Sequence, residues 1–328
     1  MGSGRGTGRA AVYSGFAMLT VVASLGTPAV ALADAPADPA AGEVLVVGGT
    51  GTSMPSERMM HALYEQGIFG DPDPVGVRYP AQLWPFRGKL TLDRSVAIGV
   101  ANLDSAVADA DGPVTVVGLS QGAVVVNYEK RALMAQPDPP ADISFVTIGD
   151  PTNRDGGLLA KLPHLHIPIL DATIPQAPVE TPYDTTEIVH EYDGYADFPD
   201  HPLNLLADLN ALAGVVYLHP NKGGVDLDDP RNVVTTTTNS LGGTTTHIVV
   251  PTDELPLTRP LRAIGVPDKA VDALDKPLRK IINTGYDGDR PGRPAPRSGL
   301  GSSPAPRAVA PDPDAARATG HSKRRVHP

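Results

Sequence analysis

From residue 43 to residue 286, short β-branched runs alternate with segments whose apolar residues recur every three or four positions. Residues 43–49 (Glu-Val-Leu-Val-Val-Gly-Gly) read as a buried strand entering a glycine-rich turn. A helix is predicted over 56–66, and a short strand over 75–79 that stops at Pro80. Val96, Val100, Leu103 and Val107 define one face of a helix over 93–110. The run 114–118 is a strand, followed by a helix-forming stretch over 123–135, and 143–148 is another strand ending at Gly149-Asp150-Pro151. Further strands are predicted over 167–170 and 187–192. Residues 203–217 are apolar almost all round and predict a buried core helix. Residues 235–250 predict a hairpin around Gly242-Gly243, and helices over 260–264 and 268–282 close the pattern.

Strands alternating with helices predict an α/β fold with a mostly parallel central sheet and helices on both faces. Such sheets bind ligands beyond the carboxyl ends of their strands. The turns after Gly49 and Tyr192, and Ser120 itself, all fall at such ends.

The two ends of the chain have a different character. Arg5 and Arg9 precede an apolar run over 12–25, and Ala31-Leu32-Ala33 follows. That is the layout of a signal peptide (1–33) with cleavage after Ala33, here by the general secretory route because no Arg-Arg pair is present. The run is short for a membrane span, which leaves an uncleaved anchor as the alternative. A linker is expected over 34–42 and a single folded domain over 43–286. Residues 287–328 are Pro, Arg, Ala, Ser and Gly with almost no aliphatics, the composition of a disordered tail. Its basic end, Lys323-Arg324-Arg325, could touch anionic envelope groups.

The formal net charge is −10. Without the cationic leader (+2) and tail (+4), residues 34–286 carry −16, which argues against nucleic acid as a partner. Cysteine is absent, so stability must come from the core, and thiolate metal sites are excluded.

The stretch Val117-Gly118-Leu119-Ser120-Gln121-Gly122 carries the chemistry. A G-x-S-x-G between a strand and a helix is the pattern of a nucleophile elbow, in which a sharp turn projects the serine oxygen. The structural alternative is a Gly-Ser turn with Ser120 as a helix N-cap. A catalytic serine needs a histidine to take its proton and a carboxylate to orient that histidine, here in the chain order Ser, acid, His. The acids available are Asp150, Asp193 and Asp197. Asp197 is taken first and Asp193 second, both in the loop beyond the 187–192 strand. Among later histidines, His219 at a helix end is favoured over His247 in a strand-like run. His201 is too close to Asp197 in a Pro-rich turn, and His164 and His166 precede the acid. The acyl oxygen needs two N–H donors, assigned to Gln121 and to Thr50 in the first glycine turn. That turn lacks the third glycine of a dinucleotide fingerprint, since position 54 is Met.

Several segments together resemble the PE-PPE domain family of actinobacteria. They are Leu45-Val-Val-Gly-Gly-Thr-Gly51, Val77-Arg-Tyr-Pro80, Gly118-Leu-Ser-Gln-Gly122 and Ile148-Gly-Asp-Pro-Thr-Asn153. Three more are Tyr192-Asp-Gly-Tyr-Ala-Asp-Phe-Pro199, Pro202-Leu-Asn-Leu-Leu-Ala-Asp-Leu-Asn210 and Pro251-Thr-Asp-Glu-Leu-Pro-Leu257. The resemblance covers 43–286, without the family's N-terminal PE or PPE module. It implies an α/β-hydrolase related to cutinases, with a Ser-Asp-His triad carried onto Ser120, Asp197 and a histidine. Tyr217-Leu-His219 supports His219 in that role.

The expectation is therefore a secreted or envelope-located serine esterase or lipase acting on acyl esters, with no cofactor and no metal. One alternative is an acyltransferase moving fatty acyl groups onto trehalose-type glycolipids with the same triad. Another is a catalytically silent envelope-binding protein. Under the first two, the helix over 203–217 could form a wall or lid of an acyl-chain pocket.

Overall fold

The computed structural model describes residues 42–70, 73–162, 165–220 and 225–288. The expected leader (1–33), all but the last residue of the expected linker, nearly all of the expected tail and His164 lie outside the described residues.

Seven strands form the central sheet in the order β2-β1-β3-β4-β7-β9-β8. They are β1 (Glu43–Val47), β2 (Val75–Val77), β3 (Val114–Leu119), β4 (Ile143–Ile148), β7 (Thr185–His190), β8 (Val233–Thr238) and β9 (Thr244–Val250). Every pairing is parallel except β8 with β9. From β1 the chain first winds outward to β2 and then returns to place β3 on the other side of β1. That reversal opens a crevice at the carboxyl ends of β1 and β3, where ligands bind in such sheets.

Burial on both faces explains the near-continuous apolar strands. All six residues of β3 are buried. Within β1, Leu45 and Val47 face α2 (Leu92–Asp109) and α3 (Gln121–Met134) together with Val96, Leu103, Val124 and Val125. Val44 and Val46 face the other way, toward Met60 and Leu63 of α1 (Glu57–Glu65). The helices begin where expected, because Ser56 and Thr91 cap α1 and α2 by accepting from Met59 N–H and Arg94 N–H. Two further helices, α5 (Arg259–Ala263) and α6 (Asp268–Ile282), follow the sheet.

Two elements of the fold depart from the sequence expectations. The strand expected over 167–170 is instead a turn between two short strands, β5 (His166–Ile167) and β6 (Ala172–Thr173). Pro168 cannot donate to a ladder, and Asp171 stands at φ 44°, so the chain turns back there. The second departure is α4 (Leu205–Tyr217), expected to be buried. Its buried residues are small, Ala207, Asn210, Ala211 and Gly214, Leu206 packs beside Tyr192 and Leu218, and Leu205, Leu209 and Leu212 point to solvent. The reason is backbone proximity. A Cβ on Gly214 would lie 1.9 Å from Tyr192 O, and one on Gly194 would lie 2.1 Å from Ala211 O. Only small side chains fit such an approach. Among the described residues, no helix is long and apolar enough to cross a membrane.

Candidate active site

Strand β3 delivers Ser120 to the crevice. Its backbone stands at φ 54° and ψ −115°, a left-handed conformation that a serine adopts only when its surroundings impose it. The two glycines of the motif permit the turn. A Cβ on Gly118 would sit 2.7 Å from Gly122 O, and one on Gly122 would sit 2.3 Å from Val47 O. Helix and strand therefore meet backbone to backbone. The N-cap alternative fails, since the Ser120 side chain makes no capping bond. Its Oγ lies 2.6 Å from His219 Nε2 instead.

His219 follows α4 directly and is mostly buried. Its Nδ1 lies 2.9 Å and 2.8 Å from the two carboxylate oxygens of Asp193. A carboxylate only accepts, so Nδ1 carries the proton and Nε2 is left to accept from the serine hydroxyl. The Tyr195 ring packs edge-on against the imidazole, with centroids 4.6 Å apart.

This geometry corrects the choice of acid. Asp197 was expected first and Asp193 second, and the structure brings Asp193 to the histidine. The physical reason is the curl of the loop after β7. Tyr192 stands at φ 68°, and the Asp197 carboxylate accepts its N–H at 2.7 Å, while Asp197 N–H donates to Asp193 O. That closure turns the Asp193 side chain toward His219. Asp193 also accepts from Tyr195 N–H at 3.0 Å, which adds to the support of the buried carboxylate. Arg279 of α6 braces the same loop, with Nη1 3.0 Å from the buried Glu191 carboxylate and 3.2 Å from Tyr192 Oη.

The remaining candidates lie elsewhere in the fold. Asp150 is buried beneath α3 and accepts from Thr152 and from Asn127 Nδ2, and burial pushes its carboxyl above the usual range. His201 pairs with Asp287 and His166 with Thr173. His247, the second choice of base, is buried beside Glu187, its partner across β7 and β9. Desolvation alone would lower its pKa, but the bond to Glu187 and the nearby charges of Glu187, Asp155 and Asp197 raise it. Asp155, Glu187 and His247 are also the described residues whose ligand atoms gather closely enough to hold a cation, within 4.8 Å of one another. His247 Nδ1 spends that proximity on Glu187 Oε2, at 3.1 Å.

The turn after β1 lies against Ser120, because a Cβ on Gly49 would be 3.3 Å from Ser120 Cβ. Thr50 and Gln121 are linked through their side chains, with Thr50 Oγ1 3.3 Å from Gln121 Oε1. Two residues that sequence reasoning gave no role hold this region. Tyr79 Oη donates to Gly48 O at 2.6 Å, and Gln82 O accepts from Gln121 Nε2 at 2.8 Å. Tyr79 is buried, and burial pushes its phenol pKa up, so it stays a neutral donor. The Val-Arg-Tyr-Pro segment was visible in the sequence, but nothing in it revealed that the phenol crosses to the first turn.

Comparison with known proteins follows the same lines. The PE-PPE domain profile matches residues 71–287. The chain is 38% identical over 281 residues to a Mycobacterium tuberculosis protein named Esterase PE16, covering 81% of this chain and 51% of that protein. It is 45% identical over 232 residues to SL1278 acyltransferase Chp1 of the same organism, covering 67% of this chain and 54% of that protein. The chain thus spans about half the length of these curated relatives. Among solved structures, a cutinase-like protein from Cryptococcus sp. aligns at a TM-score of 0.31 and 17% identity, over 48% of this chain and 79% of that one.

Proposed function

The chain belongs to the PE-PPE domain family, and from that premise we propose that it is a serine esterase or lipase that cleaves acyl esters through an acyl-enzyme. The observation that carries the reading is the 2.6 Å contact between Ser120 Oγ and His219 Nε2, backed by Asp193 on the far side of the ring. Ser120 Oγ attacks the ester carbonyl carbon while its proton passes to His219 Nε2. Asp193 stays ionised and stabilises the imidazolium that forms. The Gln121 and Thr50 backbone N–H groups hold the developing oxyanion. Collapse expels the alkoxide, which takes the proton from His219, and leaves the acyl group on Ser120. Water then gives a proton to His219 and attacks the acyl carbon, and the acid departs as Ser120 regains its proton.

Ser120→Ala should lower turnover of a p-nitrophenyl butyrate by about 10⁴-fold or more, with an unchanged circular dichroism spectrum. The wild type should be labelled on Ser120 by a fluorophosphonate probe. Unlabelled but folded wild-type protein would instead favour a catalytically silent binding protein.

A second reading is acyl transfer, in which a sugar hydroxyl replaces water in the second half-reaction. The name of the acyltransferase relative supports it. Mass analysis of products with and without trehalose separates the two. Export is part of the same proposal: protein recovered from outside a producing cell should begin at Asp34, by N-terminal sequencing.

A further inference from the structure

The run Ile148-Gly-Asp-Pro-Thr-Asn153 carries β4 into a loop that lies behind the acid of the triad. Two successive peptide groups of the acid loop bridge the space between them. The Tyr195–Ala196 peptide aims its N–H at Asp193 Oδ1, at 3.4 Å, and its oxygen accepts from Leu158 N–H at 2.9 Å. The Ala196–Asp197 peptide aims its N–H at Asp193 O, at 2.6 Å, and its oxygen accepts from Asn153 Nδ2 at 2.8 Å. A planar trans peptide carries its N–H and C=O in opposite directions, so holding the oxygen aims the N–H. Whatever holds these two carbonyls therefore sets the donors around the buried Asp193. Phe198 N–H closes the same seam by donating to Gly156 O at 2.7 Å.

Asn153 is the side chain in that seam, and it is fully buried. Its Nδ2 also donates to Asp150 O at 2.6 Å, and its Oδ1 accepts from Asp155 N–H at 3.1 Å. Two carbonyls and one N–H surround the amide, so only one of its two orientations satisfies them. An asparagine that merely closes a turn needs only the local bonds to residues 150 and 155. The bond to Ala196 O spans 43 residues and reaches the loop that carries Asp193. Without that donor the Ala196–Asp197 peptide is free to rotate. Asp193 and Tyr195, whose ring packs against His219, would move with it.

We propose that Asn153 is a positioning residue of the triad: through Ala196 O it holds the acid loop so that Asp193 meets His219 Nδ1. The inference rests on the acyl-ester reading above. Asn153 touches no reacting atom, so its effect falls on the orientation of the base rather than on substrate binding.

The test is steady-state hydrolysis of soluble p-nitrophenyl butyrate, with rates taken per serine labelled by a fluorophosphonate at completion. Asn153→Ala should lower kcat by about 10- to 100-fold and leave KM within about twofold. Wild-type protein should show the far-downfield imidazole N–H resonance of a His219 Nδ1 proton bonded to a carboxylate, and Asn153→Ala should shift or broaden it. In the Asp193→Asn background, Asn153→Ala should change kcat by less than about twofold, because the group it positions is already lost. Gly156→Ala is the second variant. A Cβ there would stand 3.1 Å from Ala196 O and 3.2 Å from Asp197 Cα, pressing on the same loop without removing a hydrogen bond. It should lower kcat by about threefold or more, again only while Asp193 is present. Unchanged kcat in folded Asn153→Ala, or in Gly156→Ala where the first variant does not fold, overturns the positioning role. So does a loss carried by KM alone, an unmoved imidazole resonance, or a loss that multiplies fully with Asp193→Asn. If wild-type Ser120 takes no fluorophosphonate, the acyl-ester reading fails instead, and the imidazole resonance still reports whether Asn153 holds Asp193 against His219.

Discussion

Asp193 and Asp197 sit four residues apart in one loop, are both buried, and do different things. The Asp193 carboxylate meets His219 Nδ1, while the Asp197 carboxylate closes the loop on Tyr192 N–H. An amide at 193 would present a donor to Nδ1 or favour the wrong tautomer. Asp193→Asn should therefore cost about 10³- to 10⁴-fold in kcat, measured on a soluble ester. Asp197→Asn keeps an oxygen that can accept from Tyr192 N–H, so it should cost about tenfold or less. Equal losses would remove the distinction between the two roles. Both acids were legible in the sequence as candidates. Their order was not, because it depends on the φ of Tyr192 and the curl it imposes.

The strand–turn–helix unit around Ser120 depends on close packing of β1, β3 and α3. Gly118 is the test position, since a methyl there would meet Gly122 O at 2.7 Å and Ala123 Cα at 2.8 Å. Backbone must move to admit it. Gly118→Ala should lower stability by about 1–3 kcal/mol, read as a shift in urea midpoint, and should lower turnover further by displacing Ser120. A variant as stable and active as wild type would show that the elbow tolerates a wider gap. The elements themselves were mostly readable: α2, β4 and α6 fall within a residue or two of their periodic patterns. Helix α4 was readable as a helix, but the inversion of its faces was not. Composition showed an all-apolar helix, whereas Gly194 and Gly214 decide which side can approach the loop.

Across the folded domain, the buried charges of α3 tie stability to pH. Glu129 is fully buried, and neither carboxylate oxygen has a hydrogen-bond partner among the described residues. Burial first, and then the charge of Asp104, raises its pKa from 4.5 to about 7. An unfolded chain releases this proton near the ordinary value, while the folded protein holds it to neutral pH. Stability therefore falls as pH rises from 4.5 to about 7 and levels off above. The full change is about 3 kcal/mol. Glu129→Gln should flatten that part of the stability–pH profile and raise the urea midpoint at pH 8. An unchanged slope between pH 5 and 7 would place the titrating group elsewhere. The neighbouring Lys130 is also fully buried and is pushed down to about 8, chiefly by desolvation, though Glu187 and Asp150 oppose the shift.

The alternation of β-branched and helical periodicity was enough for the α/β class and the parallel sheet, because both follow from local pattern and burial on two faces. The Gly118-Leu-Ser-Gln-Gly122 run sufficed to single out Ser120, since a nucleophile elbow is a local turn with its own glycine requirement. Which carboxylate meets His219 was decided only in three dimensions. So were the bracing of the first turn by Tyr79 and the outward leucines of α4. Each depends on backbone approaches between segments far apart in the chain, and local pattern carries no record of those distances.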